Sequence, residues 1–265
     1  MIKKIFIFIS FIFILIIGLW HIVISNELLH NIVKNYLKSK NLELECKGFH
    51  KGLFYKLNID QIKIKKNKNT LFFCQNFSIY LNPFYLFKFN IKLPFKGFIE
   101  KGKFKGNLIF NPLRKSSSFY LYFFNIKIEN LPFFYLLNLE GKGIIKGEIK
   151  IINSEGSAIF NIAQSKLILK NILLPLPLSI FHTIQGNLKF SSNEIYISSL
   201  TAEGQNIYVE LKGKIINKIA HLYLEIQTSL YLALLKKYEI SPGYYKIPLN
   251  FSIGQIKIPS DIKNK

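Results

Sequence analysis

From Leu42 onward the apolar residues recur at every second position, and this period restricts the fold more than any other feature of the chain. Leu42, Leu44 and Cys46 alternate with Glu43, Glu45 and Lys47. Successive side chains of a strand point to opposite faces, so such alternation predicts a half-buried β-strand. Leu57, Ile59, Ile62 and Ile64 continue the pattern, with a one-residue slip near Asp60–Gln61 that predicts a bulge. Further strands are predicted at Asn76–Leu81, Leu86–Leu93, Gly97–Phe110 and Phe119–Glu129, with Asn82–Pro83, Pro94 and Asn111–Pro112 as breakers. The second half repeats the style at Gly141–Ile151, Ala158–Ala163, Ser165–Ile172, Gly186–Ser191, Glu194–Ser199, Ile207–Ile215, Ala220–Thr228 and Leu249–Ile258. Leu131–Asn138, Leu178–Thr183 and Leu230–Tyr238 read as short helices or turns. Many short strands with one apolar face predict a mainly β body, a curved and largely antiparallel sheet or open roll. Phe119, Tyr120, Tyr122, Phe123 and Phe124 nearly fill one strand, so both of its faces must be covered or one must meet lipid or a partner.

The first 40 residues obey other periods. Ile5–Ile24 is apolar with Ser10 and Gly18 as its small interruptions, and it carries no charge apart from a protonatable His21. About 20 such residues at ~1.5 Å each span the ~30 Å hydrocarbon core of a bilayer. The run exceeds the apolar region of a signal peptide, and no small-residue cleavage site follows it. It predicts a transmembrane anchor with Trp20 near an interface. Lys3 and Lys4 precede the run, which places residues 1–4 in the cytoplasm and residues 41–265 outside it. Ser25–Lys40 reads as a helix leading into the body: Leu28, Leu29, Ile32, Val33, Tyr36 and Leu37 recur at helical spacing. That stripe is expected to pack on the body, with the membrane surface as the alternative. The residues after the anchor suffice for one large domain or two small ones, and no Pro- or Gly-rich linker marks a boundary.

Composition narrows the function. A hydrophobic share of 49% argues against general disorder. The net charge of +21 suggests nucleic acid, yet Arg114 is the single arginine, and base reading relies on arginine forks. No nucleic-acid partner is therefore expected, while anionic lipid head groups or an acidic partner stay open. An oxidising compartment permits a disulfide between Cys46 and Cys74; two free thiols are the alternative. His21, His30, His50, His182 and His221 are scattered without metal-ligand spacing, and no G-x-S-x-G elbow occurs. Gly102–Gly106 (GKFKG) and Gly141–Gly147 (GKGIIKG) lack the spacing of a phosphate loop and read as bends or bulges. No catalytic residue, metal, cofactor or small-molecule substrate is expected.

Two stretches carry a resemblance. Leu53–Lys65 (LFYKLNIDQIKIK) resembles the opening of AsmA-like envelope proteins. Between Pro175 and Thr228, a G-x-L strand leads to a strand pair of the form I-x-I-x-x-L-x-A-x-G-x-N and an L-x-G-x-I return. Those positions are Gly186 and Leu188, then Ile195, Ile197, Leu200, Ala202, Gly204 and Asn206, then Leu211, Gly213 and Ile215. This pattern is similar to the C-terminal core of the type II secretion system protein N (GspN) family. The resemblance implies an inner-membrane protein with a periplasmic body, a non-enzymatic accessory of general protein secretion. Its implied partners are platform subunits, pseudopilins or the secretin. Gly186, Gly204, Asn206 and Gly213 enter as structural positions. The alternative implied is an AsmA-like protein that binds or transfers phospholipid.

Overall fold

A computed structural model describes residues 18, 20, 25–52, 55–67, 69–132, 134, 139–169, 178–229 and 233–252. The predicted anchor Ile5–Ile24 lies outside them except for Gly18 and Trp20, as do residues 1–4. Among the described residues no helix is long and apolar enough to cross a membrane. Helix α1 covers Asn26–Lys38, starting where the Ser25 hydroxyl accepts a hydrogen bond from the Leu28 N–H at 3.0 Å. Glu27 in its first turn and Lys38 in its last complement the helix dipole.

The rest is mainly β. Among the described residues fourteen strands stand in chain order in the antiparallel sheet, except that β14 lies between β12 and β13. Two compact units emerge: Met1–Ile126 with Asn130–Leu137, and Lys127–Glu129 with Asn138–Lys265. The first holds β1 (Glu43–Lys51), β2 (Lys56–Lys66), β3 (Asn69–Tyr80), β4 (Ile91–Ile99), β5 (Gly102–Asn111) and β6 (Ser116–Lys127). The second holds β7 (Leu139–Ile152), β8 (Glu155–Leu169), β9 (Phe181–Phe190), β10 (Glu194–Gly204) and β11 (Ile207–Ile216). It is completed by β12 (Ile219–Thr228), β13 (Glu239–Ser241) and β14 (Tyr244–Ser252).

Several predicted boundaries move. Residues assigned to a strand at Leu86–Leu93 begin in a 3₁₀ helix, Pro83–Lys88, because proline presets the φ of a turn. Strand β4 starts only at Ile91 and contains Pro94, which stands just outside the β3–β4 register beginning at Ile79 and Phe95. The single strand predicted at Gly97–Phe110 is a hairpin: Ile99 pairs with Gly102 across Glu100–Lys101, with Glu100 at φ +50°. Conversely, Ala158–Ala163 and the described part of Ser165–Ile172 belong to one strand, β8. Gln164, at φ +52°, stands where the β7–β8 register shifts, so a bulge and not a turn interrupts the alternation.

The slip near Asp60–Gln61 has a different form from the predicted bulge. Register with β1 and β3 is kept on both sides of it: Lys47–Gln61 and Phe49–Ile59, then Gln61–Gln75 and Ile59–Phe77. Gly48 and Asn76, which flank Asp60 in the adjacent strands, both take positive φ. Three strands thus cross the irregularity in step. Extra residues of β3 appear nearby, against β4 at the Gln75–Ser78 shift and against β2 past the Ile64–Phe72 pair.

In the first unit one face is an aromatic core. The Phe95 ring stacks on Phe119 at 5.8 Å between centroids, and Phe104 meets Phe72 edge-on at 6.0 Å. Phe104 lies across Gly97 and Phe95 across Gly106, so each glycine leaves room for a ring from the next strand. The second unit uses the same device, with Phe160 over Gly186 and Phe190 over Gly156. Its core gathers Phe181, Ile207, Ile226, Tyr245 and Ile247, closed by Leu235 from the 3₁₀ turn Ala233–Tyr238.

Candidate functional site: a lysine and aromatic face

The opposite face of the first unit follows from the register. Ser78 pairs with Lys96, Lys96 with Lys105 and Lys105 with Tyr122, a row across β3, β4, β5 and β6. In the next rows Lys103 is opposite Phe98 and Phe124, and Lys56 is opposite Tyr80. An open groove of about 830 Å³ runs along these rows, lined by Lys56, Lys96 and Lys105 beside Tyr80, Tyr122 and Phe124. A second hollow of about 510 Å³ shares Lys96, Lys105 and Phe124 and adds Lys103 and Phe98. Among the described residues no carboxylate lines either one.

Both features of the face have physical consequences. Like charges directly opposite on paired strands destabilise a sheet, so Lys96 beside Lys105 costs stability unless an anion lies between them. The Lys105 ammonium stands 5.9 Å from the centre of the Phe124 ring, within cation–π range. Phe98, Phe124 and Tyr80 are each about 40% exposed, which leaves apolar surface next to positive charge. An anion carrying an apolar portion matches both features.

The residues singled out from sequence lie elsewhere. Cys46 and Cys74 are free. Each is the cross-strand partner of Ile62, one on either side, so β2 separates them. Two strand spacings are about 9.5 Å, beyond the roughly 7 Å limit for Cα atoms joined by a disulfide. Burial pushes the Cys74 thiol up from 9.0 to about 12, with neighbouring Cys46 adding to the rise. Burial also raises the half-buried Cys46 thiol.

The four family-like positions are structural contacts in the second unit. Gly186 lies under the Phe160 ring, and a Cβ on Gly204 would crowd the Ile180 carbonyl. Asn206 adopts φ +61° in the turn joining β10 and β11. Its carbonyl accepts a hydrogen bond from the Thr228 hydroxyl at 2.9 Å. Gly213 takes φ +132° opposite Ile197, where β10 inserts an extra residue against both neighbours. The histidines remain dispersed: His30 meets the Phe49 ring, His50 approaches Asp60 at 3.5 Å, and His221 approaches Asn250 at 3.1 Å. Among the described residues no three His, Cys, Asp or Glu side chains converge as a metal site.

The groove lysines were not singled out from sequence, because an abundant lysine reads as a default surface residue. The signal that could have exposed them is the Glu100–Lys101 turn. Once that turn is placed, period-two counting sets Lys96 directly opposite Lys105. Comparison of the chain with protein-family models, curated proteins and solved structures gave no match.

Proposed function

We propose that this chain is a non-enzymatic, membrane-anchored envelope protein that works as an accessory component of type II secretion. The supporting observation is the β10–β11 hairpin, in which Gly204, Asn206 and Gly213 of the family-like pattern each stand at a close backbone approach or a positive φ. The apolar run Ile5–Ile24 fixes the protein to the inner membrane, and a curved antiparallel body in the periplasm meets other subunits. Strand β1, at one end of the strand order, offers backbone donors and acceptors for strand addition. The test is crosslinking in intact cells followed by identification of captured proteins. Recovery of a secretin, pseudopilin or platform subunit is the expected outcome. Capture of none of these, with phospholipid co-purifying, overturns it.

A second reading, an AsmA-like phospholipid-binding protein, is favoured by the lysine and aromatic groove. An anionic head group would sit among Lys56, Lys96 and Lys105, with its apolar portion against Tyr80, Tyr122 and Phe124. Extraction and mass spectrometry of the purified full chain tests this reading. Phospholipid retained by the unaltered protein and lost from Lys96→Glu is expected; equal retention by both sinks the groove assignment.

A further inference from the structure

Helix α1 was expected to bury its apolar stripe on the body, and the structure divides that stripe. Leu29 and Leu37 turn toward the body and are half-buried, and the His30 ring meets Phe49 of β1 edge-on at 5.6 Å. Leu28, Ile32 and Tyr36 follow at i, i+4 and i+8 and form a separate ridge. That ridge is open: Ile32 is 57% and Tyr36 65% exposed, and no residue of α1 is buried. Exposed apolar residues are ordinary singly, but three in line on one helix mark an interaction surface.

We propose that this ridge docks α1 onto the surface of an anionic bilayer, so that the helix lies between the membrane and the first unit. Two further features select lipid as the occupant. The uncharged run Ile5–Ile24 ends immediately before the Ser25 cap, so the helix starts one residue after a segment long enough to span the hydrocarbon core. Trp20, near the end of that run, is held by the body: its indole N–H donates to the Gly52 carbonyl at 3.1 Å, and its ring lies 5.0 Å from Tyr55. Lys51 donates to the Trp20 carbonyl at 3.0 Å. The β1–β2 connection and α1 are thus both tied closely to the apolar segment. The helix itself carries Lys34 and Lys38 against Glu27 alone, with Lys40 beyond its end, a charge suited to anionic head groups. An apolar ridge of this kind sits roughly 5–10 Å into the boundary between head groups and acyl chains.

The docking is independent of the secretion partner and shares with the proposed function only the anchoring by Ile5–Ile24. Its test uses the full chain in vesicles of phosphatidylethanolamine and phosphatidylglycerol, with Cys46→Ser and a nitroxide at Ile32→Cys or at Lys34→Cys, on the opposite side of the helix. Relaxation by oxygen at position 32 and by a water-soluble nickel chelate at position 34 is expected. Oxygen preference at position 32 should be lost in the Leu28→Ser and Tyr36→Ser double variant. Nickel access at position 32 equal to that at position 34 overturns the proposal, because the ridge then faces water. Shielding of position 32 from both reagents also overturns it, in favour of a second copy or another protein. Carbonate extraction of the same vesicles reads the anchor separately. A retained chain with position 32 in water refutes docking alone, whereas release of the chain refutes the anchoring and the docking together.

Discussion

At Gly213 the backbone takes φ +132°, and an added Cβ would overlap the His221 carbonyl of the paired strand. Gly213→Ala should therefore lower stability by about 1–3 kcal/mol, measured as a fall in the urea midpoint. Phe104 is almost fully buried among Phe72, Phe77 and Phe95 and rests on Gly97, so its loss leaves a hole that no neighbour can fill. Phe104→Ala should cost about 3–5 kcal/mol by the same measure. The thiols allow a pH prediction. Because folding raises the Cys74 pKa from 9.0 to about 12, the protonated thiol is the form that the native state favours. Its contribution to stability is fully present below about pH 9 and disappears as the pH rises toward 12. Alkylation of the folded chain near neutral pH should modify Cys46 slowly and leave Cys74 untouched until denaturant is added. Mass spectrometry without reductant should find no bond between them.

At the scale of elements, the β4–β5 hairpin opposes its own stability. Lys96 and Lys105 face each other, and among the described residues no carboxylate lines the groove. Lys96→Glu should raise the stability of the isolated protein by about 0.2–1 kcal/mol through an opposite-charge cross-strand pair. The same change should abolish retention of anionic lipid, which separates a lysine kept for binding from one that merely decorates the surface. Helix α1 gives the complementary case. Since Ile32 and Tyr36 of its ridge are 57% and 65% exposed, Ile32→Ser should shift stability by no more than about 0.5 kcal/mol, read from the urea midpoint. The edges of the sheet also differ. Short β13 ends one side, and its Glu239 is held ionised below the usual carboxylate range by hydrogen bonds from Lys236 and the Gly243 N–H. Strand β1, nine residues long, ends the other. A three-residue edge is a poor template for an added strand, so the proposed strand addition falls to β1.

For the whole molecule the governing quantity is a net charge of +21. Attraction between the exposed lysines and an anionic membrane is screened over ~30 Å at 0.01 M salt but only ~3 Å at 1 M. Adsorption of the chain to phosphatidylglycerol vesicles should fall steeply over that range. An inserted Ile5–Ile24 should resist the same salt, so the salt-resistant fraction reports the anchor and the salt-sensitive one the lysines. A partner captured through β1 should likewise persist at high salt, because backbone pairing carries no net charge.

The sequence by itself determined what depends on near neighbours. Period-two alternation specifies strands because adjacent side chains point to opposite faces, and the Ser25 cap with its following stripe specifies α1 within two residues. The breaks at Asn82–Pro83 and Asn111–Pro112 were legible for the same local reason. Only the tertiary structure decided which positions meet. Across Glu100–Lys101 the buried positions change phase, from Gly97 and Ile99 to Gly102 and Phe104, but only strand pairing turns that slip into a hairpin and aligns the row from Ser78 to Tyr122. The separation of Cys46 from Cys74 by β2 is likewise a matter of strand order. The open ridge of α1 depends on what the body leaves uncovered, and no local pattern encodes that.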